Sequence, residues 1–219
     1  MTVYRETETF DFHGPAGRIE AILNLPPEGT TPLAAAVLCH AHPLHGGMMH
    51  FKVIFRAAKA LQSQGVAVLR FNFRGVGRSE GVHDYGVGEQ DDALAALDLM
   101  QERFPGLPLM IGGFSFGSAM AARVAARDAR VRAVLVLGFP VIRVEGNAGL
   151  ADVLQPRLFV QGGDDEFGSG DALRRVVAPL PEPRRIVVVE GADHFFTGRL
   201  DELQAPIAEW AATKPWEGR

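Results

Sequence analysis

The chain has 219 residues, of which 47% are hydrophobic and 22% charged, a balance typical of globular proteins rather than of disordered or fibrous ones. A formal net charge of −4 gives no basic field that would attract nucleic acid or an anionic membrane. The single cysteine, Cys39, excludes an intrachain disulfide, and the N-terminal segment does not resemble a signal peptide, so we expect a soluble protein of the cytoplasm.

Strand and helix patterns alternate along the chain after two opening strands at about residues 4–13 and 17–25. Short apolar runs between turn residues predict buried strands over 33–39, 66–71, 107–112, 131–137, 157–160 and 186–189. Helical patterns occupy about 48–63, 88–103, 116–127, 170–178 and 200–213. This order predicts an α/β fold in one domain over 1–219, with about eight mostly parallel strands and helices on both faces of the sheet.

The connection between the strands at 131–137 and 157–160 is short. It has only about twenty residues and is rich in glycine and proline. We expect a single short helical turn near 149–153 there and no cap domain over the sheet.

Residues 113–117, Gly-Phe-Ser-Phe-Gly, form a G-x-S-x-G motif between a predicted strand and a predicted helix. This motif places a serine on a sharp strand-to-helix turn with its hydroxyl exposed, and the glycines let the turn pass close to its neighbours. Ser115 is therefore the candidate nucleophile. The alternative is a glycine-rich turn that happens to contain a serine.

Acidic and histidine-containing turns follow two later strands. Residues 161–166 contain three consecutive acidic residues, and residues 191–196 contain His194, which alone of the seven histidines lies on a turn after a later strand. The carboxyl ends of parallel strands gather at one edge of a sheet, and the order nucleophile, acid, base matches the G-x-S-x-G arrangement. Asp164 and Asp165 both remain candidates for the acid. Either could instead cap the following helix, and His194 could be a surface imidazole.

The chain resembles the α/β-hydrolase superfamily, and within it the small dienelactone-hydrolase-like serine hydrolases, over residues 34–200. The resemblance rests on the segments His40–Gly47, Phe71–Ser79, Gln161–Glu166 and Ala192–Phe196. It implies an α/β-hydrolase fold without a cap, and it implies that Asp165, the aspartate of G-x-x-D, is the acid.

Acyl transfer also needs N–H donors for an oxyanion. One donor is expected from Phe116, directly after the serine. The resemblance implies that His42 supplies the other. Ala41 stands where the related pattern commonly has glycine and Pro43 has no N–H, so Leu44 remains the alternative donor.

Two further patterns suggest other functions. His40, His42, His45 and His50 lie within eleven positions, but apart from Cys39 no thiolate or carboxylate completes a zinc-like spacing, so we expect no metal. The glycine-rich residues 75–81 mimic a dinucleotide-binding loop but are followed by more loop instead of a helix. We expect Arg74 and Arg78 to form structural ion pairs or hydrogen bonds there.

The sequence thus predicts a serine hydrolase that cleaves small or short-chain carboxylic esters through Ser115, His194 and Asp165, without a cofactor. Its partner would be a small-molecule ester; the oligomeric state stays open. Thioesterase, peptidase or acyltransferase activity on the same residues, or a non-catalytic binding module, remain alternatives. Six phenylalanines near the converging strand ends could form an apolar acyl pocket or simply belong to the core: Phe114, Phe116, Phe139, Phe167, Phe195 and Phe196.

Overall fold

The computed structural model describes residues 7–217, apart from the side chains of residues 145–147. Its strands are β1 Thr7–Gly14, β2 Gly17–Asn24, β3 Ala34–Cys39, β4 Val66–Phe71, β5 Leu109–Phe114, β6 Val131–Leu137, β7 Arg157–Gly162 and β8 Arg184–Val189. Its α-helices are α1 Lys52–Ser63, α2 Gly88–Arg103, α3 Phe116–Arg127, α4 Gly170–Val177 and α5 Leu200–Ala212. Residues 4–6 of the first predicted strand lie outside the described residues.

The eight strands form one sheet in the order β1-β2-β4-β3-β5-β6-β7-β8. β1 and β2 form an antiparallel hairpin, β2 pairs antiparallel with β4, and all later pairs are parallel. The predicted mostly parallel sheet of eight strands is therefore confirmed. The parallel strands end at one edge, and the loops that follow β3, β5, β7 and β8 meet there.

Helices cover both faces of the sheet, as the sequence predicts. Apolar residues of α2, α3 and α4 form one core layer with one set of strand side chains. Apolar residues of α1 and α5 form the second layer on the opposite face. Every residue of β3, β4, β5 and β7 is buried, which explains why these strands are continuous apolar runs instead of alternating patterns.

Two local predictions are corrected. β5 begins and ends two residues later than predicted, because Gly113 and Phe114 continue the strand. A Cβ on Gly112 would lie 2.7 Å from Cβ of Leu135 on β6, so glycine is required by packing within the sheet. The connection from β6 to β7 contains two 3-10 segments, Val141–Arg143 and Glu145–Asp152, where a single turn was predicted. The 3-10 helix rises further per residue than an α-helix, which lets a short segment span this gap.

Cys39 ends β3 and is completely buried. Burial raises the pKa of its thiol, with a smaller contribution from the negative charge of Asp92. The thiol is thus held in its neutral form and packs as a small apolar group, as expected. Over residues 7–217, no helix is long and apolar enough to cross a membrane.

Candidate active site

Ser115 lies on the sharp turn between β5 and α3. Its backbone has φ 55° and ψ −120°, a conformation that L-residues rarely adopt and that is common where a site requires it. Gly117 makes the turn possible, because a Cβ there would lie 2.2 Å from the carbonyl oxygen of Cys39. A Cβ on Gly113 would likewise lie 2.3 Å from the carbonyl oxygen of Gly117. Both glycines of the motif are therefore needed for close backbone approach.

His194 and Asp165 lie next to this serine. Nε2 of His194 is 2.9 Å from Oγ of Ser115, and Nδ1 is 2.7 Å from Oδ2 of Asp165. His194 and Asp165 are only 2% and 3% exposed, so little water competes for these hydrogen bonds. Because a carboxylate can only accept, it fixes the Nδ1–H tautomer and leaves Nε2 free to take a proton from the serine. Asp164, the other candidate acid, is exposed, and among the described residues the hydrogen bond and ion pair to Nδ1 of His194 come from Asp165.

Gln161, at the end of β7, holds the carboxylate of Asp165 and was not assigned a role from the sequence. Its Nε2 donates to Oδ2 of Asp165 at 2.9 Å and to the carbonyl oxygen of Gly168 at 2.6 Å. Its Oε1 accepts from the N–H of Phe139 at 2.8 Å, and the N–H of Phe167 donates to Oδ1 of Asp165 at 2.8 Å. A buried glutamine beside an acidic turn is the signal that could have suggested this role, since buried amides must be satisfied.

The turn that presents His194 is shaped by its neighbour Asp193. Oδ1 of Asp193 accepts from the backbone N–H groups of Phe195 at 3.1 Å and Thr197 at 2.8 Å. The hydrogen bond from Thr197 is the main reason that the pKa of Asp193 lies below its usual range. The acidic residue before the histidine is thus structural.

The loop after β3 faces the N-terminus of α3. His40 is completely buried; its Nδ1 lies 2.6 Å from the carbonyl oxygen of Ala41 and its Nε2 accepts from the N–H of Phe73 at 3.0 Å. Burial lowers the pKa of His40 to about 4, so the ring is neutral at pH 7. Both of its nitrogens are used by backbone groups, which agrees with a loop-shaping role and leaves none for a metal.

The N–H group of Leu44, the alternative oxyanion donor, is already used, because it donates to Nδ1 of His42 at 3.2 Å. Among the described residues, the backbone N–H groups of His42 and Phe116 have no hydrogen-bond acceptor. Burial, and then repulsion by His83 and His45, lower the pKa of the His42 side chain. Across residues 7–217, no group of three or more histidine, cysteine or acidic side chains is arranged to hold a metal ion.

A cleft of about 680 Å³ opens above Ser115. The rings of Phe116, Phe167 and Phe195 line it, as the sequence suggested. The other three phenylalanines, Phe114, Phe139 and Phe196, are fully buried core residues. Three of the six phenylalanines suggested by the sequence therefore contribute to the apolar wall of the cleft, and the other three belong to the core.

The glycine-rich residues 75–81 lie outside the cleft and are held by ion pairs. Arg74 donates to both carboxylate oxygens of Asp92, at 3.0 and 2.7 Å, and this contact is the main cause that raises the pKa of Arg74. Arg78 pairs with Asp11 at 3.0 Å. The expectation that both arginines are structural is confirmed, since each already has a carboxylate partner.

The chain is similar to a known protein family and to proteins of known structure. A model of the family described as "Alpha/beta hydrolase domain" matches residues 34–205. A solved alpha-beta serine hydrolase homologue from Coxiella burnetii is 39% identical, with a TM-score of 0.86 over 95% of this chain and 97% of that one. A serine hydrolase without lid from Xanthomonas campestris is 30% identical, with a TM-score of 0.86 over 99% of this chain and 97% of that one.

A curated relative adds a sequence match of similar extent. An uncharacterized protein from Rickettsia prowazekii is 36% identical over 210 residues, which cover 92% of this chain and 87% of the relative. These likenesses and the eight-stranded sheet confirm the fold expected from the sequence, with no cap domain among the described residues.

Proposed function

Because the chain belongs to the alpha/beta hydrolase domain family, we propose that this hydrolase cleaves carboxylic esters with small or short acyl groups. The observation that carries the proposal is the hydrogen-bonded chain Ser115–His194–Asp165 at the floor of an open cleft. Serine becomes a nucleophile only when a base takes its proton, and an ordered imidazole beside it is that base.

The reaction proceeds through an acyl-enzyme. Oγ of Ser115 forms a bond to the acyl carbon while its proton moves to Nε2 of His194. The ester C–O bond then breaks, and His194 returns the proton to the departing alcohol. Water, deprotonated by His194, attacks the acyl carbon next; the bond from Oγ of Ser115 to the acyl carbon breaks, His194 returns the proton to Oγ, and the acid is released. Asp165 holds the imidazole in place and stabilises its positive charge.

The backbone N–H groups of Phe116 and His42 stabilise the oxyanion. Both lack acceptors within the described residues, and Phe116 opens α3, where the helix dipole also favours negative charge. His42 is held by hydrogen bonds from the N–H groups of His45 at 3.0 Å and Gly47 at 3.1 Å to its carbonyl oxygen. A donor that is already ordered costs no reorganisation during the reaction.

The substrate is a small molecule, and the reaction needs no cofactor, since proton transfer and acyl transfer use protein groups alone. The short connection from β6 to β7 leaves the cleft open, which favours short or exposed acyl esters. We also propose that the chain forms a single domain. We place the protein in the cytoplasm, because a reducing compartment keeps its one cysteine as a thiol.

Steady-state hydrolysis of 4-nitrophenyl butyrate tests this function. Ser115→Ala is expected to lower kcat/KM by on the order of 10³-fold or more, as removal of the nucleophile does in other enzymes of this type. Asp165→Asn is expected to lower kcat by a similar order, because an amide cannot fix the required tautomer. Asp164→Asn is the matched control with near-normal turnover. Undiminished hydrolysis by Ser115→Ala would refute the proposal.

A further inference from the structure

The cleft above Ser115 carries positive and no negative side chains on its wall. Its lining includes Arg123, Arg143 and four histidines, and none of the described lining residues is aspartate or glutamate. This contrasts with the formal charge of −4 for the whole chain. Clefts lined by one sign of charge concentrate ligands of the opposite sign.

Arg123 has no carboxylate partner among the described residues, although it is half-buried. It lies on the face of α3 that also presents Phe116, Ala119 and Met120 to the cleft. Its guanidinium rests against the loop at Gly86, with Nη1 3.3 Å from where a Cβ of that glycine would be. By contrast, Arg127 on the next turn is exposed and paired with Asp91 at 3.5 Å.

His83 lies on the same loop and lines the cleft. Its side chain is 6% exposed, and its buried Nε2 has no hydrogen-bond partner among the described residues. Its Nδ1 lies 2.7 Å from Oε1 of the buried Glu89. A buried polar atom without a partner is costly, and such an atom in a cleft wall is commonly one that a ligand satisfies.

Glu89 is a fixed negative charge behind this histidine. Burial opposes its ionisation, but N–H groups of Asp84 and Gly86, each donating at 2.8 Å, outweigh burial and hold its pKa below the usual range. The carboxylate therefore places a negative charge next to the ring of His83. Because its oxygens already accept from two backbone groups, Glu89 is held beneath the ring and away from the open cleft.

These groups and His194 have separate ring neighbours in the cleft. The ring of His194 contacts those of Phe114, Phe167 and Phe195, whereas the ring of His83 contacts those of His42, Tyr85 and Phe116. The two sets share no ring. His194 must reach the leaving alcohol to protonate it, so we expect the acyl chain to extend away from His194, toward His83 and Arg123.

We propose that His83 and Arg123 bind a carboxylate at the far end of the acyl group, so that the preferred substrates are half-esters of short dicarboxylic acids. The inference rests on the proposed function of Ser115. Arg123 lies eight positions after Ser115, about 12 Å of helical rise, and helical side chains tilt toward the N-terminus, which brings the guanidinium back toward the serine. We therefore expect the carboxylate of a short dicarboxylic chain to reach the guanidinium.

Two substrates of matched shape test the site. One is the 4-nitrophenyl half-ester of adipic acid, which ends in a carboxylate, and the other is the 4-nitrophenyl ester of adipamic acid, which ends in a neutral amide. We expect kcat/KM of the wild type to favour the acid by about tenfold or more, because charge-assisted hydrogen bonds are the stronger ones. Arg123→Gln and, separately, His83→Gln should bring the ratio toward one. Arg127→Gln, on the same helix, should keep the wild-type ratio.

Binding gives a readout that does not depend on turnover. Ser115→Ala is titrated calorimetrically with adipate and, as the neutral control, with adipamide. We expect binding of adipate and no binding of adipamide. Adding Arg123→Gln to Ser115→Ala should abolish the binding of adipate. Equal kcat/KM for the two esters, or a preference that survives both substitutions, would overturn the site and leave the esterase intact. If neither ester is cleaved although 4-nitrophenyl butyrate is, the half-ester preference is overturned and the esterase stands; if the butyrate is not cleaved either, the proposed function fails. Adipate binding that depends on Arg123 then still supports the site, and no binding overturns it.

Discussion

Besides the hydrogen bond from His194, the carboxylate of Asp165 accepts two hydrogen bonds in the described structure, one from the backbone N–H of Phe167 and one from the side chain of Gln161. The orientation of the Gln161 amide is unambiguous, because its neighbours are two acceptors on one side and a backbone N–H on the other. Gln161 is therefore a positioning residue that joins the acidic turn to the end of β6.

Gln161→Met is expected to lower kcat by on the order of tenfold with KM nearly unchanged, because the acid loses an orienting donor while the cleft keeps its shape. Steady-state kinetics with 4-nitrophenyl butyrate separate the two parameters. Gln101→Met, an exposed glutamine on α2, is the control. A change in KM alone would show that the amide does not act through Asp165.

His40 makes stability depend on pH. Its pKa is lowered by burial from 6.5 to about 4, so the unfolded chain binds a proton more readily than the folded one. Its stabilising contribution is complete above pH 6.5 and is lost as pH falls toward 4. Between pH 7.5 and 5 this amounts to about 2 kcal/mol of unfolding free energy.

Urea unfolding at the two pH values measures that loss. The wild type should lose about 2 kcal/mol more than His40→Gln over this interval, whatever the absolute stability of the variant. His13→Gln, an exposed histidine on β1, should retain the wild-type dependence. The same loss in His40→Gln and the wild type would assign the acid sensitivity to other groups.

Helix α3 packs against the end of β3 so closely at Gly117 that no side chain fits there. A Cβ at Gly117 would lie 2.2 Å and 2.4 Å from the carbonyl oxygens of Cys39 and His40. These are backbone atoms, so the helix would have to move, and it carries both Ser115 and the N–H of Phe116.

Gly117→Ala should therefore lower the free energy of unfolding by about 1–3 kcal/mol and reduce kcat as well. Gly106→Ala is the comparison: its φ is +82° and nothing lies within 4 Å of the added Cβ, so it should cost only about 1 kcal/mol of conformational strain and no activity. Equal activity in the two variants would contradict a packing requirement at the turn.

The elements themselves were largely predictable, because apolar runs and turn residues record burial directly. The ends of β4, β6, α2 and α3 match the predicted ones, whereas the predicted fifth strand starts and ends two residues too early, because Gly113 belongs to the strand and the preceding turn extends to Pro108. The neighbourhood of His83 and Arg123 was not predictable. These residues lie on a loop and a helix distant in sequence, and their contact with one cleft depends on side-chain packing that no local pattern records.

At the scale of the whole molecule, the cleft stays open because the connection from β6 to β7 holds only two 3-10 segments. The rate of hydrolysis of 4-nitrophenyl caproate should therefore follow a smooth saturation curve, also at concentrations at which the ester aggregates. A lid that opens at an interface would instead give a steep rise in rate. Such a rise, measured across the critical concentration, would contradict the open cleft.

The nucleophilic serine is the central claim, and covalent labelling tests it most directly. A fluorophosphonate probe should form one adduct per folded chain, and peptide mass spectrometry should map it to Ser115. Ser115→Ala, checked as folded by circular dichroism, should carry no adduct. An adduct on another residue, or an unlabelled wild-type protein that is folded, would contradict the account.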